Sequence, residues 1–201
     1  MSLEFLTSQI AKIRAQAAGI QEQWSRAYRE VGADRNLTDE GKRTSLDELF
    51  QKLQAELRGL LGKEKQLVQT KQESLERALF GLNSSDANKI IAYRDAQDRA
   101  GRAKEEAEAR ALYNSAIISG DDILAKAVLA KAVEFGYRRI LDDWGQRNPV
   151  WREELNDLTG IKHYNNDGNI GLQRTVAYSI IRGTREGSSG GVVTGRIAGW
   201  L

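Results

Sequence analysis

From residue 38 to residue 80 the chain runs without a proline, and apolar side chains return at Leu46, Phe50, Leu53, Leu57 and Leu60 in alternating steps of four and three. That alternation is the repeat of a coiled-coil seam, in which every seventh residue comes back to the same helix face. Continued in register, the seam takes in Glu64, Lys71 and Ser74, while Leu61, Val68, Leu75 and Leu79 carry the apolar character one position later. The stripe therefore drifts around the helix instead of holding a strict heptad. Thr38, Asp39 and Glu40 mark its start, with a hydroxyl to cap free amides and two acids near the positive end of the helix dipole. A helix of roughly 42 residues, at about 1.5 Å each, is about 63 Å long. Such a helix cannot bury its stripe against itself and needs a helical neighbour, from the same chain or from a second copy.

The segments around it read the same way. Ile10, Ile13, Ala17, Ile20, Trp24 and Tyr28 form one stripe on a helix over residues 7–31, and Gly32 with the polar run that follows reads as a connector. Gly81 closes the long helix, with Ser84, Ser85 or Asp86 to cap the next. Residues 87–118 are alanine-rich and charged, with sparse apolar positions at Ile90, Ile91, Tyr93, Ala100, Ala107, Leu112 and Ala116. At Ser119-Gly120-Asp121-Asp122 glycine ends one helix and aspartate caps another, whose apolar face runs from Ile123 and Leu124 through Phe135 and Ile140 to Trp144. Pro149, the only proline, opens a short helix at the position where its missing amide costs nothing, and Val150, Trp151, Leu155 and Leu158 follow before Gly160.

Beyond Gly160 the composition changes, since residues 160–201 hold nine of the 19 glycines. Asn165-Asn166-Asp167-Gly168-Asn169 is a turn signal, and the β-branched and aromatic run over 175–181 suits a strand, so a short β-hairpin is expected there. Residues 182–195 are too rich in Gly and Ser to hold structure alone, and the chain ends in Ile197-Ala198-Gly199-Trp200-Leu201, an apolar tip. The fold class that follows is mainly α: an extended helical bundle or set of coiled-coil hairpins over 1–159, with the long helix at 38–80, a helical hairpin at 86–145 and a short helix at 149–159. A Gly-rich arm occupies 160–201.

Charge and composition narrow the function. From residue 160 onward five basic residues stand against two acidic ones, a net +3 that leaves −1 for the rest of a chain whose total is +2. The helical body is thus a poor phosphate binder. The chain has no cysteine, which excludes disulfides and thiolate metal sites. No apolar run approaches the ~18–20 residues of a membrane helix. The first residues lack the basic stretch and apolar core of a secretory signal, so synthesis in a cytoplasm is expected.

No catalytic or metal-binding signature emerges, and no cofactor is expected. His163 stands alone beside a tyrosine and two asparagines, without the second ligand a zinc site needs. Aligning Gly168 with the invariant glycine of a calcium loop puts His163 and Arg174 at the charge-bearing positions, which favours a simple turn. The glycine-rich run from 183 to 191 lacks the Lys-Ser/Thr ending of a phosphate loop. Acid pairs such as Asp121-Asp122, Asp142-Asp143 and Glu153-Glu154 sit at caps or on solvated faces. The arm's Arg182, Arg185 and Arg196, with Tyr178, Ile197, Trp200 and Leu201, are the expected partner-binding residues. An apolar tip on a tether suits an anchor in a protein pocket, and stacking on nucleic acid is the less favoured use.

Ala78-Leu79-Phe80-Gly81, Ile90-Ile91-Ala92-Tyr93-Arg94-Asp95-Ala96-Gln97-Asp98-Arg99-Ala100 and Ser119-Gly120-Asp121-Asp122-Ile123-Leu124-Ala125-Lys126-Ala127-Val128 resemble helical proteins encoded among the structural genes of actinobacterial phages and prophages. The resemblance covers residues 37–158 and implies a non-enzymatic virion or head-assembly component, with no catalytic residues to carry over. Its partners would be capsid or connector proteins and further copies of itself, and its location the virion, with the host cytoplasm during assembly. A head-assembly scaffold or chaperone is the first alternative, and a nucleic-acid-binding accessory protein using the basic tail is the second.

Overall fold

The computed structural model describes residues 3–81 and 86–182, and among them there are helices and connectors but no strand. In chain order the elements are α1 (Leu3–Ala33), α2 (Asp39–Phe80), α3 (Ala87–Arg102), α4 (Glu106–Ser119), α5 (Asp122–Phe135), α6 (Arg138–Arg147), a 3-10 turn (Pro149–Trp151), α7 (Arg152–Asn166) and α8 (Gly168–Ala177). The chain divides into two compact units: unit 1 is Met1–Gln69 with Asn166–Leu201, and unit 2 is Thr70–Asn165. This division differs from a body over 1–159 and an arm from 160, because the residues just after α7 return to the unit that the first two helices begin.

The long helix is present over the expected span. Thr38 accepts from the Gly41 amide at 3.1 Å, and the amide of Gly81 still bonds to the Arg77 carbonyl at 3.0 Å. Its buried positions in unit 1 are Leu53, Leu57, Leu60, Glu64 and Val68, so the seam is one continuous stripe that includes the carboxylate. Opposite it, α1 buries Leu6, Ile10, Arg14, Ala17 and Trp24. Ala17, Leu57, Leu60 and Tyr178 form the centre of unit 1, with Ile13, Ile20, Leu61, Ala177 and Ile180 packed around them. Burying a leucine such as Leu57 completely contributes about 1.5–3 kcal/mol.

Unit 2 is organised around α5. Leu124, Ala125, Ala127, Val128, Leu129, Ala132 and Val133 are all buried, so this helix is enclosed on most of its circumference. It packs against α3 and α4, which meet it with Ala96 and Ala100 and with Ala109, Tyr113 and Ala116. The small side chains at the four alanine positions let the backbones approach closely, and Tyr113 is the one large side chain among them. Lys71 with Asp157 at 3.3 Å, Lys162 with Glu76 at 2.7 Å, and Asn165 with Gln72 at 3.0 Å tie α7 to the end of α2.

Several boundaries differ from those the sequence suggests. The helix expected over 87–118 breaks at Ala103, where the backbone becomes extended. The helix expected to reach Trp144 stops at Gly136, whose φ of 72° lies in the left-handed region that a side chain disfavours; Gly120, with φ 68°, ends α4 in the same way. Gly160 does not end a helix. Leu155, Leu158, Ile161 and Tyr164 continue one buried face straight across it within α7. The hairpin expected around 165–181 is a helix instead over Gly168–Ala177, because the Asp167 side chain accepts from the amides of Asn169 and Ile170 at 2.8 and 3.0 Å and so caps α8. The turn signal was an N-cap, and the strand-like run supplies the last residues of α8 and the stretch after it.

Candidate contact sites

Glu64 has no exposed surface, which requires its charge to be met inside unit 1. Arg14, one seam position along α1, meets it in a two-pronged pair: Nε donates to Oε2 and Nη2 to Oε1, each at 2.9 Å. The Tyr178 hydroxyl donates to the same Oε2 at 2.5 Å. Planar guanidinium against carboxylate is the strong form of such a bond and fixes the angle between its partners. Burial first, and then the Glu64 carboxylate, push the Tyr178 phenol well above the ordinary tyrosine range, so it stays protonated as a donor. Three separate chain segments are thereby registered on one carboxylate.

The residues after α8 are held by a further set of donors. The last carbonyls of a helix lack intrahelical partners. Gln21 Nε2 adds a donor there, to the Val176 carbonyl at 3.0 Å, which also accepts from the Ser179 amide, and it donates to the Ser179 carbonyl beyond the helix at 2.8 Å. Three residues on along α1, the Trp24 indole N–H donates to the Ile181 carbonyl at 3.0 Å. Trp24 also meets Phe50 edge-on at 5.4 Å, and the Arg182 guanidinium lies over the Phe50 ring at 5.7 Å while pairing with Asp47. The contacts to carbonyls read no side chain; side-chain identity is read at Tyr178 and Arg182 and in the packing of Ala177 and Ile180.

In unit 2 a groove of 280 Å³ runs between the end of α2, α4, α5 and the α6–α7 connection. Leu79, Ile117, Ala125 and Trp144 give it apolar walls, Trp151 stands at its margin, and Asp122 and Lys126 add one charge of each sign. Ile118 and Val150, the neighbours in sequence of two of its lining residues, are 87% and 82% exposed, and Trp151 is 41% exposed. A second cavity of 290 Å³ touches Phe80, Tyr93, Phe135, Lys131 and Lys162. Its lysines are engaged, Lys131 with the Gly101 carbonyl at 2.9 Å and Lys162 with Glu76. Tyr113, buried in α4, lies beside the Asp143 carboxylate without meeting it in hydrogen-bond geometry; burial and that negative charge push its phenol up. The Asp143 carboxyl is held below the usual range, chiefly by its bond from Arg147.

Of the residues expected to bind a partner, Tyr178 is buried and its hydroxyl is used inside unit 1, which removes it from the partner-facing set. Arg182 is exposed but fastened to Asp47 and Phe50. Arg185, Arg196, Ile197, Trp200 and Leu201 lie outside the described residues. His163 is exposed on α7. Among the described residues no three His, Cys, Asp or Glu side chains are grouped to hold a metal ion, and no helix is long and apolar enough to cross a membrane. Arg14, Gln21 and Trp151 did not stand out as contact residues in the sequence, although Glu64 on an apolar seam was the signal that a cation had to lie opposite. Comparison of the chain with protein-family models, with curated proteins and with solved structures gave no match.

Proposed function

We propose that the chain is a non-enzymatic structural protein of a phage particle, bound to the capsid or a connector by protein contacts in which the C-terminal residues act as an attachment arm. One observation carries the arm: the segment that leads into it is fastened at Tyr178, at the carbonyls of residues 176, 179 and 181, and at Arg182. An attachment arm transmits load only if its root is fixed to the body, and this root is fixed to two helices. The resemblance at residues 78–100 and 119–128 supports the phage setting, and the exposed Ile118, Val150 and Trp151 support a role in contacts between proteins.

The test is co-sedimentation with purified particles of the intact chain and of a chain lacking residues 183–201. The shortened chain is expected to lose most of its binding, and undiminished binding would remove the arm from the proposal. Mass spectrometry of finished particles separates this reading from a scaffold, since a structural component is retained and a scaffold is absent.

A further inference from the structure

We infer that residues 168–182, which are α8 and the stretch after it, form a strap that opens as one piece while α1 and α2 stay paired, uncovering an apolar face at intervals. α8 cannot hold itself. It has ten residues, fewer than the ~12–15 at which an isolated helix becomes marginally stable in water. Ile170 is its one buried residue, and Leu172 on the same helix is 64% exposed. What keeps α8 in place lies beyond its end, in Tyr178, in the carbonyls of 179 and 181, and in Arg182. Once those anchors release, α8 has too little buried surface to stay folded, so the whole of 168–182 is a single unit of opening.

α1 and α2, by contrast, keep their own bonds. Arg14 reaches both oxygens of Glu64, so the carboxylate retains its counter-charge after the Tyr178 hydroxyl withdraws. Opening therefore strands no ion, which is the cost that holds most buried charged sites shut. Leu6 and Ile10 of α1 and Leu53 and Val68 of α2 are buried outside the group that Tyr178 joins, and they remain as the seam. The open state is a paired α1 and α2 that shows Ala17, Leu57 and Leu60, the residues Tyr178 and Ile180 pack against, beside the Arg14–Glu64 pair. The outermost anchor is also the most easily loosened. The side chains of Arg182 and Asp47 are 60% and 45% exposed, where salt screens their attraction.

Hydrogen exchange on the full-length chain, read by mass spectrometry, tests the strap. Relative to intrinsic rates, the amides of 171–179 are expected to exchange about tenfold or more faster than those of 10–24 and 53–68. Tyr178→Phe should speed 171–179 by about tenfold or more. Arg182→Ala should speed them ~2–5-fold, an increase that ~1 M sodium chloride also produces in the wild-type chain but not in the variant. Leu53→Ala decides whether the strap moves alone. The contact it removes is made in the closed and open states alike, so 10–24 and 53–68 should exchange about tenfold or more faster with 171–179 unchanged. Equal protection of all three segments in the wild-type chain, equal quickening of all three by Leu53→Ala, or exchange in 171–179 that ignores both Tyr178→Phe and Arg182→Ala would each overturn the inference. Should Leu53→Ala lose its helical circular dichroism, the wild-type comparison and the salt response of Arg182→Ala decide the matter. No particle takes part, so a strap that never opens alone leaves the proposed function standing, and a chain absent from finished particles leaves the strap standing.

Discussion

In unit 1 the seam of α2 closes over a carboxylate and a guanidinium, whereas in unit 2 the central helix α5 is surrounded by alanines and branched aliphatics. The difference is one of specification against closeness. A buried ion pair adds little net stability over a well-packed apolar pair, since both charges have left water. What Glu64 adds is geometry, because only one rotation and one translation of α1 and of the residue-178 segment bring three donors onto it. Unit 2 uses shape instead: Ala96, Ala100, Ala109 and Ala116 are all buried, and small side chains at such positions allow helices to pack closely.

The largest expected effect breaks the first half of this comparison. Glu64→Ala strands the Arg14 charge and the Tyr178 hydroxyl, and should cost about 3–5 kcal/mol in denaturant unfolding, with faster amide exchange in α1. Pairing Glu64→Leu with Arg14→Met should recover most of that loss; failure to recover would mean that the pair supplies stability as well as register.

Tyr178→Phe is the milder cut. Loss of one hydrogen bond to a charged group should cost about 1.5–3 kcal/mol at neutral pH. The phenol's folded pKa is raised, so its contribution is complete below the ordinary tyrosine value of ~10 and fades as pH rises towards the folded value. The wild-type chain should therefore lose its advantage over Tyr178→Phe above about pH 10 in urea midpoints taken across pH. A gap that stays constant into alkali would show that the phenol does not titrate with unfolding.

The smallest effect tests unit 2. Ala132→Leu inserts bulk on the wholly buried face of α5 and should cost about 1–3 kcal/mol, read as a lowered urea midpoint with faster exchange in α5. If it is neutral, closeness is not what holds that unit and the contrast with unit 1 weakens.

Much of the helical content was legible because it depends on local signals. The 3-4 spacing from Leu46 to Leu60, the Thr38 cap and the Gly120–Asp121 joint each appear where the sequence places them. What was not legible depends on partners far along the chain. Residues 175–181 have strand-like propensity, yet the Asp167 cap, together with the Gln21 and Trp24 donors more than 150 residues away, settles their backbone as a helix end and an irregular stretch. Gly160 suggested a stop, but a glycine costs only about 1 kcal/mol within a helix whose buried face continues on both sides. Glu64 could be read as an anomaly on a seam, while Arg14 and Tyr178 could not be named as its partners without the fold. The tip residues remain legible only as chemistry.

The Tyr178 hydroxyl and its Glu64 acceptor stand 114 positions apart, with all of unit 2 between them. In a chain made from its N-terminus, Arg14 and Glu64 are therefore both present before unit 2, and the Tyr178 donor comes only after it. A chain cut short before residue 178 lacks the donor that completes the Glu64 site and the side chains that cover Ala17, Leu57 and Leu60, so the first unit is finished only by residues that follow the second.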